Sequence, residues 1–198
     1  MKQKLNTRQI VAVAALALFT VFITWRAKLL EKGILERNPA SELKGKPAPD
    51  FTLPALDGQM VSLQDYRDKK KVVISYWASW CGPCRLELPL LREFYQKYHR
   101  EGSDFEVLAV SVDEDRHAAE SYAKGENLPF PVLLDPHSSA ADAYSVEGIP
   151  TMFVVDKRGK ITYANTGLDQ VMEVQLAMQL GIDLKVGNVQ QKGRSDQE

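Results

Sequence analysis

The stretch "KKVVISYWASWCGPCRLELP", residues 70 to 89, constrains the fold more than any other part of the chain. Its first half is a continuous apolar and β-branched run. A strand buried on only one face would alternate; an unbroken run is the pattern of a strand covered on both faces. From Pro83 to about Arg100 the periodicity becomes helical. A second buried run, "DFEVLAVSVD", follows, then a helical stretch, "DRHAAESYAKGEN", closing near Gly125. "FPVLLD" reads as a short strand and "SAADAYSV" as a short helix. "TMFVVDKRGKITYANTG" reads as a hairpin turning at Lys157 to Gly159, and "LDQVMEVQLAMQL" as a closing amphipathic helix. Upstream, "DFTLPALDGQMVSL" reads as two short strands around Asp57 and Gly58. Strands alternating with helices imply an α/β fold with part of its sheet parallel, and the late hairpin makes that sheet mixed.

The junction of strand and helix holds both cysteines of the chain, Cys81 and Cys84. The first turn of a helix has unpaired N–H groups and a partial positive charge. A cysteine there is stabilised as thiolate and reactive near neutral pH. Pro83 is tolerated in that turn, where its missing N–H costs nothing. Cys84 stands close enough to close a disulfide with Cys81. A structural bridge over so short a loop constrains little of the unfolded chain. A four-cysteine zinc site is excluded by count. A half site would need ligands from His99, His117 and His137, which fall on different elements and read as ordinary surface histidines. The expectation is thiol–disulfide chemistry with no metal and no cofactor. With 25 Lys and Arg against 26 Asp and Glu, net charge is −1, and nothing points to nucleic acid.

The N-terminus supplies a compartment. Lys2, Lys4 and Arg8 precede an uncharged run from Ile10 to Trp25. It is slightly shorter than the ~20 residues of a spanning helix, a gap that tilt or local thinning closes. A buried core helix would be amphipathic, and this run is apolar on every side. A cleaved signal peptide needs a small-x-small site after the run, where the chain reads "FITWRAKLL". No cysteine follows that could carry a lipid. An uncleaved signal anchor remains. Basic residues ahead of it place the N-terminus in the cytoplasm, although Arg26, Lys28 and Lys32 weaken the asymmetry. The domain then lies outside the cytoplasm, on the periplasmic side, where disulfides persist. The expected organisation is a cytoplasmic tail over 1–9, a membrane segment over 10–26, a linker over 27–43, a domain over 44–185 and a disordered tail over 186–198.

Glu87 follows Cys84 by three residues. On a wheel at about 100° per residue, with Cys84 at zero, Leu88, Leu91, Phe94, Tyr95 and Tyr98 form an apolar stripe. Glu87 falls inside that stripe, at about −60°. Arg85, Arg92, Glu93, Gln96 and Lys97 lie away from it. Pro89 can kink the helix and change the angle. The wheel leaves a buried acid and a surface ion pair equally open.

"WCGPC", Pro89 five residues after Cys84, and "GIPT" some sixty residues on resemble the thioredoxin superfamily. The pattern Trp-Cys-x-Pro-Cys-x-x-Glu-x-Pro narrows the resemblance to the membrane-anchored TlpA/ResA-type thiol–disulfide oxidoreductases. The opening "GKPAPDFTLPALDGQMVSL" and the extra strand and helix ahead of "GIPT" agree. The resemblance covers residues 44 to 182. It implies a thioredoxin-like fold with an N-terminal β-hairpin and a central strand–helix insertion. It also implies a redox-active disulfide between Cys81 and Cys84, with Glu87 as proton acceptor for Cys84. Thioredoxins carry a buried aspartate in the preceding strand for that task, and here Ser75 stands in its place. Pro150 is expected to be cis and to face the cysteines. The backbone at Ile149 is expected to bind an extended substrate segment. Trp80, Gly82 and Pro83 complete the expected substrate surface; Trp77 reads as core or site wall.

The implied activity is reduction of protein disulfides, with the haem-attachment cysteines of apocytochrome c as client class. A membrane protein carrying electrons out from the cytoplasm would re-reduce the pair. Two alternatives use similar sequences. A disulfide-donating oxidase differs in redox potential and recycling partner. Peroxiredoxins share the opening stretch, but need Thr or Ser three residues before the peroxidatic cysteine and Pro seven before. Ala78 and Ile74 stand there.

Overall fold

The computed structural model describes residues 6–31 and 39–184. The chain divides into two units, Met1–Asn38 and Pro39–Glu198. In the first, Thr7–Glu31 form one helix, α1. Within it, Ile10–Lys28 is long and apolar enough to cross a membrane. At 1.5 Å per residue the whole helix is about 37 Å long, more than the ~30 Å hydrocarbon core. Its apolar side chains, from Ile10 to Trp25, are exposed all round. Thr20 and Thr24 donate their hydroxyls to the carbonyls of Ala17 and Val21, at 2.8 and 3.0 Å. Both hydroxyls are thus satisfied by the helix itself, which suits a medium without water.

The helix exceeds the expected 10–26 at both ends. Thr7 to Gln9 belong to it, and so do 27–31, because "AKLLE" is a run of good helix formers. The other end of the expected linker also has structure. Pro39–Leu43 coil into a 3-10 turn, with Ala40 buried in the core. The folded unit therefore starts at Pro39 rather than Lys44. The expected tail over 186–198 lies outside the described residues, as do 1–5 and 32–38.

In the second unit, β1 (Thr52–Pro54) and β2 (Met60–Ser62) pair antiparallel, Leu53 opposite Val61. Their turn needs Gly58 at φ +87°, a conformation glycine adopts without steric cost. Then come β3 (Lys71–Trp77), α2 (Gly82–Tyr98), β4 (Phe105–Ser111) and α3 (Arg116–Gly125). β5 (Val132–Leu134), α4 (Ser139–Ala143), β6 (Thr151–Val155), β7 (Ile161–Thr166) and α5 (Met172–Leu180) complete the chain. The five-stranded sheet has the order β5-β4-β3-β6-β7. β3, β4 and β5 are parallel; β6 and β7 are antiparallel to their neighbours. This is a thioredoxin-like mixed sheet, with β5 and α4 as the added strand and helix.

Both faces of β3 are covered, which is why its sequence does not alternate. Val73 and Trp77 pack with Leu88, Leu91 and Phe94 of α2, and with residues of α3 and α5. Val72, Ile74 and Tyr76 pack on the opposite face with Tyr144, Phe51 and Leu63. Each fully buried Leu, Ile or Phe contributes about 1.5–3 kcal/mol, so the two cores together hold the sheet.

Strand direction decides where the loops meet. Tyr76 near the end of β3 pairs with Thr151 at the start of β6, and Thr151 pairs with Thr166 at the end of β7. The segments after β3, after β4, before β6 and after β7 therefore gather at one end of the sheet.

Candidate active site

Cys81 is the N-cap of α2, with extended backbone at φ −81° and ψ 108°. The Cys84 N–H donates to Cys81 Sγ at 3.2 Å. The two cysteines are joined in a disulfide with Cα atoms 5.2 Å apart. Gly82 and Pro83 between them are exposed, and Pro83 occupies the first helical turn. Cys81 is 5% exposed and Cys84 fully buried. An incoming thiolate therefore reaches Cys81 first. Trp80 is 70% exposed beside it, while Trp77 is buried in the core.

α2 runs unbroken through Pro89, so the wheel's geometry survives. Glu87 points into the protein at 1% exposure, together with Leu88, Leu91 and Phe94. Ser75 Oγ, from the adjacent strand β3, donates to Glu87 Oε1 at 3.3 Å. Burial raises the Glu87 pKa from the ordinary carboxylate range to about 7. The Ser75 hydrogen bond opposes the rise, and the negative charge of Asp169 adds to it. A carboxyl poised at about 7 exchanges protons readily near neutral pH.

The facing wall is the segment before β6. The Ile149–Pro150 peptide is cis. Cys81 Sγ lies 3.6 Å from the Ile149 carbonyl oxygen. Thr151 Oγ1 donates to the Gly148 carbonyl at 2.6 Å, and the Gly167 N–H donates to the Pro150 carbonyl at 2.7 Å. These bonds fix the segment against β7 and the chain that follows it.

A family model described as the AhpC/TSA family matches residues 44–164. Thiol-disulfide oxidoreductase ResA of Geobacillus thermodenitrificans (strain NG80-2) is 40% identical over 123 residues, covering 62% of this chain and 69% of that protein. Its counterpart in Bacillus subtilis (strain 168) is 34% identical over 124 residues, covering 63% and 68%. A crystal structure of a candidate thiol:disulfide interchange protein DsbE from Chlorobium tepidum aligns with a TM-score of 0.63 at 34% identity. That alignment covers 69% of this chain and 94% of the other. The chain belongs to the ResA-type thiol-disulfide oxidoreductases of the AhpC/TSA family.

In this ResA-type enzyme the structure also brings in residues that the sequence did not single out. Asp113, after β4, is 3% exposed. Its carboxylate accepts from the Ser79 N–H at 2.9 Å, the Ser79 hydroxyl at 2.7 Å and the Ser111 hydroxyl at 2.7 Å. It thereby pins the loop that leads into Cys81 to the end of the neighbouring strand. "SVDED" after a buried strand was the available signal, but spacing could not say that Ser79 lay across from it. The charge of Asp169, and Tyr163 bonded to it at 2.7 Å, act on Glu87 electrostatically from the far end of the chain, with no local motif to announce them. One histidine departs from expectation. His99 is not a free surface residue: it stacks on Tyr95, with ring centroids 4.2 Å apart, and stands 3.6 Å from Glu106. The helix end places it over that aromatic ring. His117 and His137 are exposed. Ala78 and Ile74 are both fully buried; the first bears no hydroxyl, and the second is not the proline, that the peroxiredoxin pattern places before its cysteine.

Proposed function

We propose that this oxidoreductase reduces protein disulfides outside the cytoplasm, tethered to the membrane through α1. The observation that carries the reading is the placement of Glu87. It is buried, poised near neutrality, and one helical turn from the inner cysteine. A proton acceptor at Cys84 serves the resolving step, which is the step that completes reduction of a client.

With the pair reduced, the Cys81 thiolate attacks one sulfur of a client disulfide. A mixed disulfide forms and the client's other sulfur leaves as thiolate. The Cys84 N–H and the helix N-terminus support the negative charge on Cys81 before attack. Glu87 then takes the proton of the Cys84 thiol. The Cys84 thiolate attacks Cys81 Sγ, closing the enzyme disulfide and releasing the second client sulfur. Two electrons pass from enzyme to client, and the leaving thiolates take up protons. The exposed Trp80, Gly82 and Pro83, with the backbone at Ile149 and Pro150, form the surface along which an extended client segment would lie. By resemblance, the client class is the haem-attachment cysteines of apocytochrome c, and the electron donor is a membrane thiol protein.

The test is Glu87→Gln, assayed by insulin disulfide reduction across pH 5 to 9. The rate should fall at least about tenfold near neutral pH, with the fold intact and the pH limb near 7 lost. An unchanged pH–rate profile would sink the reading.

A further inference from the structure

Glu87 is almost wholly buried, yet each turnover requires it to gain and lose a proton. The polar groups acting on it come from three places: Ser75 on β3, Tyr163 on β7 and Asp169 in the segment after β7. Ser75 donates a hydrogen bond, Tyr163 is a weak acid and Asp169 carries a charge. Asp169 differs from an ordinary surface carboxylate because both its oxygens are held. Tyr163 donates its hydroxyl to Oδ2 at 2.7 Å, and the Val171 N–H donates to Oδ1 at 2.9 Å. Burial and the Asp169 charge together raise the Tyr163 pKa, so its hydroxyl stays a donor at neutral pH.

Independent geometry puts Asp169 on the Glu87 side of α2. Leu90 and Phe94 stand three and seven residues after Glu87, on the same side of the helix. Both line a groove of about 220 Å³ together with Asp169, Met172 and Glu173. A groove of that size is roomy enough for water. Asp169 is half-buried, so its charge is partly shielded from solvent, and it acts on the buried acid through space. Its segment is also tied to the cysteine site, through the bond from Gly167 to Pro150.

We propose that Asp169 is a positioning residue for the thiol chemistry: a carboxylate clamped by Tyr163 and the Val171 amide, whose fixed charge governs how readily Glu87 takes the Cys84 proton. The inference rests on Glu87 being the proton acceptor. A negative charge held nearby disfavours a second one, so it strengthens Glu87 as a base. A mobile carboxylate would turn to water and lose that influence to screening. The clamp is therefore as necessary as the charge.

The experiment uses the full chain in detergent micelles. The Glu87 carboxyl is titrated by infrared difference spectroscopy, with Glu87→Gln identifying its band, and insulin reduction is followed across the same pH range. Asp169→Asn keeps an oxygen for the Val171 amide and removes the charge. It should lower the Glu87 midpoint by about half a pH unit or more, carry the pH–rate limb down with it, and be reversed by Asp169→Glu. A midpoint unchanged or raised in Asp169→Asn overturns the inference. If that variant does not fold, Tyr163→Phe decides: a fall in the midpoint supports the clamp, and no change overturns it. The two readings fail separately. A limb that persists in Glu87→Gln removes the proton-acceptor role, whereas a limb lost there but unmoved in Asp169→Asn removes only the role of Asp169.

Discussion

Glu87 concentrates the physical conflict of this molecule in one side chain. A carboxyl placed among Leu88, Leu91 and Phe94 cannot ionise cheaply, and the Ser75 hydroxyl compensates only in part. The consequence reaches stability as well as chemistry. Below pH 4.5 the group is protonated whether the chain is folded or unfolded. Between 4.5 and about 7 the folded state holds the proton more tightly. Unfolding then releases protons, and stability falls as pH rises through that window. The loss is complete above about pH 8 and amounts to about 3 kcal/mol. Glu87→Gln, which cannot ionise and keeps an oxygen for Ser75, should match the parent at pH 4.5 and exceed it in thermal stability at pH 8. Equal melting-temperature changes between those pH values in both proteins would contradict the assigned environment.

The loop between β3 and α2 is short and carries the reactive sulfur, so its anchorage matters more than its composition. Cys81 caps the helix, and Asp113 holds Ser79 by both its N–H and its hydroxyl. The Val112 N–H donates to the Trp77 carbonyl at 2.9 Å, closing the same junction from the other side. Removing the Asp113 carboxylate leaves the Ser79 amide and the buried Ser111 hydroxyl without their acceptor. Each such loss costs about 1–3 kcal/mol. Asp113→Ala should therefore lower the melting temperature by roughly 5–10 °C for a domain of this size. Asp113→Asn, which retains an acceptor, should lose less. Calorimetry of the two variants separates anchorage from the mere presence of charge.

At the scale of the molecule, one end of a mixed sheet assembles a site from four distant segments, and a separate helix is long and apolar enough to serve as the proposed tether. In the proposed cycle, the fully buried Cys84 and the more accessible Cys81 make attack at Cys81 the first event and resolution by Cys84 the second. Cys84→Ser should stop the cycle between the two. The proposed location predicts that clients remain covalently linked to Cys81 in cells, in membrane fractions, and are released by dithiothreitol. Non-reducing electrophoresis showing no linked species in Cys84→Ser, under conditions where Cys81 is reduced, would count against a protein client.

The order of strands and helices was legible in the sequence because backbone geometry imposes it locally. Side chains two apart share a strand face, and those three or four apart share a helix face. That suffices to read β3 as buried on both sides, α2 as beginning at the cysteines, and Ile10 to Trp25 as apolar all round. The wheel also gave the direction of Glu87 within α2. It could not give the depth of its burial, because that depends on what covers the helix. The sheet under it, Tyr163 and Asp169 are brought there by strand order, from as far as eighty-two residues along the chain. The same holds for Asp113 opposite Ser79, for Ile149 beside Cys81, and for His99 stacked on Tyr95. Pro39–Leu43 read as linker because a short polar segment has no periodicity, and only contact with the core orders it. The residues themselves determined which elements form and where the sulfur chemistry sits. Tertiary structure alone decided the proton affinity of the group beside it, since that affinity depends on the water excluded and the charges gathered from the rest of the fold.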